Sequence, residues 1–454
     1  MTPHQMQFLL LDLALIVMVT RAVGGLFRWL GQPPVLGEIT AGILLGPTLF
    51  GTGFTQAVFP PYARPLLGAL ANLGVALFLL GEGIEFDRGL LRGRALVVPV
   101  LAVTSVAVPF MVGTGTGFWL FADHETVSRP GFILFMGVAM SITAFPVLAR
   151  ILADRGLNRD RLGAVALSAA ALTDVIAWSV FAVVMTVVAR EGQQPGRIML
   201  IPVYGMVMLC AVRPLLRRLD SSDRLRSGNA ALTIVLTGML LSALATEWIG
   251  LHFLFGAFLF GAVLPRDGAL TLRTAWTPGM RRISSTLLLP VYFLLAGLNV
   301  DLSSLGTRGF LELAGILCAA VAGKAGTAFV VARLHGMDRR EAAVLAALMN
   351  TRGLTELIVL TMGVQIGVLD SRLYSVMVVM SLVTTAMAGP VLALLPAAGD
   401  QPAWPTPTPL STATSRPRST AGSTKFWEIF PRAWCGRNRL TSIVKAIRTA
   451  ERQR

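Results

Sequence analysis

Leu162 to Ala189 form an apolar run of twenty-eight residues with a single charged side chain, Asp174, near its middle. A helix of that length spans a bilayer, and an ionisable group at its centre costs at least a few kcal/mol, so such a residue usually marks an ion or proton path. A second buried charge is expected at Lys324, within the apolar run from Phe310 to Val331, and it is the only lysine before the C-terminal tail. An acid and an amine on different spans make a place where a cation and a proton compete. Burial disfavours the charge on each, while their mutual attraction favours it.

Two further spans are interrupted by helix-disrupting sequence. One carries Ser141-Ile-Thr-Ala-Phe-Pro146-Val-Leu-Ala-Arg150, the other Met349-Asn-Thr-Arg-Gly353-Leu-Thr-Glu356. Unwound backbone offers carbonyls to a dehydrated cation, and half-helix ends carry partial charges that nearby side chains must balance. We therefore take Asp174, Thr173, Thr143 and Asn350 as the candidate cation- and proton-binding residues. Lys324, Arg352 and Glu356 are the candidates for charge compensation. Glu82 and Glu85, in Gly81-Glu-Gly-Ile-Glu85-Phe-Asp87, are candidates for a cytoplasmic mouth. Plainer roles stand beside these: helix packing for Asp174, a structural pairing for Lys324, and mutual stabilisation of Arg352 and Glu356. His252 reads as packing. No resident metal is expected beyond a transported ion at Asp174, and no cofactor.

The elements that position these residues follow from composition. A chain of 454 residues with 54% hydrophobic and 14% charged residues is a polytopic membrane protein, all-α. Its apolar runs predict about thirteen transmembrane helices, at 8–27, 33–50, 66–84, 95–121, 130–149, 162–189, 198–216, 229–249, 251–265, 284–300, 309–332, 341–368 and 373–396. With the N-terminus outside, 30 of the 39 Lys and Arg residues fall on the cytoplasmic side and 6 outside, the alternation that orients membrane proteins. The C-terminus is then cytoplasmic, and the first run reads as a retained helix. The net charge of +15 is accounted for by topology and tail, with no need for nucleic acid. Cys210, Cys318 and Cys435 form no metal or disulfide pattern. An intramembrane aspartyl protease would need two aspartates in paired spans, and Asp174 is expected to have no such partner, so the chain is expected not to be an enzyme.

Past residue 396 fifteen of the twenty-five residues from 400 to 424 are Pro, Ser or Thr, predicting a disordered linker at 397–424. Residues 425–454 mix aromatic and basic residues, as in an amphipathic cytoplasmic tail on anionic lipid. No nucleotide-binding fingerprint is visible there. The interrupted spans are the fifth and twelfth, so spans 1–6 and 8–13 read as two six-helix repeats of opposite topology joined by span 7.

The motifs also carry a resemblance. Gly31-Gln-Pro-Pro-Val-Leu-Gly-Glu38-Ile, Ala41-Gly-Ile-Leu-Leu-Gly-Pro47, the run from Ser141 to Arg150 and Thr173-Asp174-Val-Ile-Ala-Trp178 are joined by the Gly250 to Gly261 segment, Gly323-Lys324 and Asn350 to Glu356. Together, over residues 1–396, they resemble the second family of monovalent cation:proton antiporters, relatives of NapA and the Kef potassium-efflux proteins. The resemblance implies an NhaA/NapA-like fold with inverted repeats, and a homodimer. It implies core spans (95–189 and 309–396) moving elevator-like against dimerisation spans (1–94 and 229–308), with 198–216 as linker. It implies exchange of Na+ or K+ for protons in the cytoplasmic membrane, with Asp174 as the cation-binding aspartate. Thr173 departs from the acid, Asn or Gln of many relatives, and Glu82 stands where the family is usually apolar. Counting carboxylates favours one proton per cation. A Kef-like potassium efflux channel is the alternative.

Overall fold

The computed structural model describes residues 3–85, 96–124, 128–154, 161–189, 200–220, 228–265, 271–274, 276, 278–303 and 305–394. All of them belong to one unit, Met1–Asp400. The predicted linker at 397–424 and tail at 425–454 lie outside the described residues.

Among the described residues the secondary structure is entirely helical. The helices are α1 (Pro3–Trp29), α2 (Pro34–Leu45), α3 (Pro47–Val58), α4 (Arg64–Glu85), α5 (Val97–Leu120), α6 (Arg129–Ser141), α7 (Phe145–Asp154) and α8 (Arg161–Ala189). They continue with α9 (Leu200–Asp220), α10 (Gly228–Ile249), α11 (Phe253–Val263), α12 (278–298), α13 (Gly306–Leu334), α14 (Arg339–Met349), α15 (Leu354–Gln365) and α16 (Ser371–Leu394). Among the described residues ten helices are long and apolar enough to cross a bilayer, counting α6–α7 and α14–α15 each as one, or eleven if α2 and α3 form one bent span.

Where the structure departs from the expected spans, the backbone explains why. The run at 33–50 is not one straight helix: α2 and α3 meet at 71°. Pro47 lacks the N–H that would continue the ladder and disfavours helical backbone in the residue before it, and Gly46 is extended there, at φ −78° and ψ −173°. The run at 251–265 contains the eleven-residue α11, about 16 Å long at the helical rise and shorter than a bilayer core. The run at 284–300 lies mostly within α12, which carries a π-turn at Ser284–Leu288.

Large apolar side chains remain on the outside of the bundle, among them Leu10, Leu11 and Met18 of α1 and Val203, Met206 and Leu209 of α9. A soluble protein does not leave such a belt open to water; in a bilayer it faces lipid.

With lipid outside, helix association depends on close packing, and small residues set the closest approaches. The helices α1, α2 and α12 pack in series, as do α10, α11 and α4, while α5 packs on α6, α8 and α13. At the α2–α12 crossing a Cβ on Gly42 would stand 2.2 Å from the Leu294 carbonyl oxygen, and one on Gly297 2.3 Å from that of Ile39. Gly42→Ala is therefore expected to destabilise the fold by about 1–3 kcal/mol, the usual penalty of overpacking. Thermal unfolding in detergent checks this against Gly68→Ala, where an added Cβ meets nothing within 4 Å and stability should hold or rise.

Candidate ion site at two helix breaks

Both interruptions read from the sequence are present, and they meet. The helix of α6 ends at Ser141, residues 142–144 are non-helical with Ile142 extended, and α7 starts at Phe145; α14 ends at Met349 and α15 starts at Leu354. The Ala144 amide donates to the Thr351 carbonyl at 3.3 Å, and the Thr355 hydroxyl to the Thr143 carbonyl at 3.3 Å.

Stopping a helix inside a membrane leaves its last four carbonyls without partners and a partial negative charge at that end. For α6 each of the four finds a donor. The Ser141 hydroxyl donates to Val138 O at 2.8 Å. The Arg352 guanidinium donates to Ala139 O at 3.3 Å and Met140 O at 2.9 Å. The Lys324 ammonium donates to the Ser141 carbonyl. Two basic side chains thus sit at the negative end of α6, and both are fully buried, at 0% exposure.

Local structure aims each of them. Lys324 lies in a π-turn, Ala322–Gly326, inside α13; the extra residue of such a turn shifts the helix face and redirects the side chain. Arg352 lies in the second break, where its amide donates to the Thr385 hydroxyl oxygen at 2.8 Å and that hydroxyl donates to the Arg352 carbonyl at 2.8 Å. Its guanidinium also donates to Glu356 Oε1 at 2.8 Å, both side chains being fully buried. Glu356 occupies the first turn of α15, where a negative charge complements the helix dipole.

Asp174 answers the opposite kind of helix end. It accepts a hydrogen bond from the Phe145 amide, the first of α7, so the carboxylate faces a half-helix N-terminus. It is within electrostatic reach of Lys324 and of Glu82. Its Oδ1 is buried without a hydrogen-bond partner, and the same holds for Thr173 Oγ1, Thr143 Oγ1 and Asn350 Oδ1. Buried oxygens without partners are rare and costly; here all four residues read as cation-binding contribute one. Asp174 also lines a narrow crevice with Ile142, Ala177, Trp178 and Phe181. Glu82 lies in the last turn of α4; Glu85 closes that helix, and its side chain lies outside the described residues.

Sequence reasoning passed over two features. Asp12, inside the first apolar run, is buried at 1% exposure with both oxygens unpartnered. It is a second aspartate in an apolar run, contrary to the expectation that Asp174 had none, but α1 packs chiefly on α2 and α12 rather than on α8. The other feature ties α5, α13 and the α15–α16 turn together. His124 Nδ1 bonds Asp370 at 2.6 Å, His124 Nε2 lies 3.5 Å from Glu312, and Arg372 bonds Glu312 at 2.6 Å. Burial pushes the Asp370 carboxyl up, but hydrogen bonds from His124 and the Leu373 amide, with the charges of His124 and Arg372, hold it below its ordinary value. Glu312, an acid inside the apolar run 309–332, was the visible signal.

The sequence matches the family model described as sodium/hydrogen exchanger, transmembrane, over residues 14–397. The chain belongs to the sodium/hydrogen exchanger family. Among its relatives, the Na(+)/H(+) antiporter NhaS4 of Synechocystis sp. is 35% identical over 406 residues, covering 86% of this chain and 98% of NhaS4. Cation/H(+) antiporter 20 of Arabidopsis thaliana is 37% identical over 85% of this exchanger, and K(+)/H(+) antiporter 1 of Saccharomyces cerevisiae 31% over 85%. This exchanger spans about half the length of those two, 48% and 46%. In fold it is similar to the sodium proton antiporter MjNhaP1 from Methanocaldococcus jannaschii, with a TM-score of 0.61 at 16% identity, covering 86% of this chain and 98% of that one.

Proposed function

We propose that this exchanger is a secondary antiporter that moves a monovalent cation, Na+ or K+, against protons, with Asp174 as the shared carrier. The observation that carries this reading is the buried, unpartnered Oδ1 of Asp174 at the N-terminus of α7, with the Thr173, Thr143 and Asn350 oxygens equally unpartnered. A dehydrated cation takes oxygen ligands of this kind, and a proton satisfies the carboxylate in its place. Competition between the two for one carboxylate couples their movements, at one proton per cation. Lys324 and Arg352 hold the half-helix end that faces the site, and Glu356 balances Arg352. The printed names of the relatives, Na(+)/H(+) and K(+)/H(+) antiporters, agree with this class.

On the same reading, the chain has thirteen spans in two inverted repeats, and the two broken helices cross at the site. The spans at 95–189 and 309–396 move as a core against a scaffold of spans 1–94 and 229–308. The protein is a homodimer in the cytoplasmic membrane, N-terminus outside. Reconstitution into liposomes loaded with a pH dye, at zero membrane potential, tests it. Addition of Na+ or K+ should drive proton movement. Cation flux without protons would place the protein among channels instead.

A further inference from the structure

Trp178 lies one helical turn from Asp174 on α8 and stacks on Phe258 of α11, ring centroids 6.4 Å apart, with Phe255 edge-on at 5.5 Å. The helix α11 in turn touches α4 backbone to backbone. A Cβ on Gly83 would stand 2.2 Å from the Phe258 carbonyl oxygen and 2.8 Å from the Ala262 nitrogen, and one on Gly261 2.3 Å from the Leu80 carbonyl oxygen. Glu82 is the neighbour of Gly83 and is only part-buried. Thus the contact chain Asp174–Trp178–Phe258–Gly83 runs from Asp174 to the turn of α4 that bears Glu82, and the two carboxylates are within electrostatic reach.

We propose that Glu82 is a second carboxylate of the cation path, supplied by the scaffold and facing Asp174 in one arrangement of the two domains. This rests on the antiport reading above and adds to it a residue that makes the site differ between its two faces. An acid on α4 stays behind when the core shifts, so the cation meets two carboxylates in the arrangement seen here and Asp174 alone in the other. Two negative charges attract a monovalent cation more strongly than one and raise its local concentration at the crevice mouth. The cation is therefore bound more tightly from the face at which Glu82 and Asp174 approach.

The neighbouring groups supply the competing explanation. Arg273 donates to the Ile84 carbonyl at 2.5 Å, and Trp276 packs where a Cβ on Gly81 would meet its Nε1 at 3.2 Å. A purely structural Glu82 would tie this end of α4 to those residues and leave cation binding alone.

Glu82→Gln and Glu82→Asp, measured in right-side-out and inside-out membrane vesicles, decide between the two. The apparent KM for Na+ or K+ should rise on the order of tenfold in Glu82→Gln from one face only, with kcat largely kept, and Glu82→Asp should restore most of it. An unchanged KM, an equal rise from both faces, or loss of thermal stability without a KM change would overturn the proposal while leaving Asp174 as carrier. A wild type without proton-coupled exchange would instead remove the antiport reading, and this inference with it.

Discussion

Replacing Asp174 by Asn is expected to reduce cation-driven proton movement in proteoliposomes to that of protein-free vesicles, with the protein still folded. The amide keeps the size and one oxygen of the carboxyl but neither binds nor releases a proton at physiological pH, so the competition that couples the two fluxes disappears. Folding should survive because the substitution removes a charge from the membrane interior, where it costs at least a few kcal/mol, and leaves the Phe145 amide an acceptor. Thermal stability in detergent should therefore hold or rise as transport vanishes. Asp174→Glu keeps the charge but lengthens the arm by one methylene in a narrow crevice lined by Ile142, Trp178 and Phe181; it should retain exchange at a reduced rate. Wild-type exchange in Asp174→Asn would refute the assignment.

Arg352→Met should be the most damaging single change to the fold. It strands the carbonyls of Ala139 and Met140 and leaves Glu356 as a fully buried carboxylate without its guanidinium. Removing one partner of a buried pair typically costs about 3–5 kcal/mol, enough to use up much of the stability of a single domain. The expected readout is a large fall in detergent-solubilised yield and unfolding temperature. In the double variant Arg352→Met with Glu356→Gln, the stranded charge is gone and part of the loss should return. If the double variant were as unstable as the sum of both single changes, the pair would not be coupled and the α6 carbonyls would account for the whole effect.

Much of this arrangement was legible in the sequence because membranes make rare residues informative. Asp174, Lys324 and Arg352 stand out against apolar runs, and Pro146 and Gly353 mark interruptions, so the candidate residues could be picked out before their arrangement was known. What could not be read was which donor meets which carbonyl. That Arg352 and Lys324 divide the end of α6 between them depends on a π-turn in α13 and on the meeting of two breaks about two hundred residues apart in the chain, neither of which leaves a periodic signal. The bend at Gly46-Pro47 was readable from local rules, since proline forbids the ladder, but the apolar run concealed it. The His124, Glu312, Asp370 and Arg372 cluster escaped because its members lie on three separate elements: Glu312 alone stands inside an apolar run, and its partners each resemble an ordinary loop or span-end residue.

The donors that complete the end of α6 are separated from it by 183 residues for Lys324 and by 212 and 213 for Arg352. A ribosome adds residues one at a time, so α6 enters the bilayer long before its capping groups exist. During that interval its last carbonyls must be held by water or by the insertion machinery. Any message that ends before codon 352 yields a chain whose first broken helix is never sealed, a defect that membrane quality-control proteases can recognise. Sealing of the α6 end is thus a late event of synthesis rather than an early one.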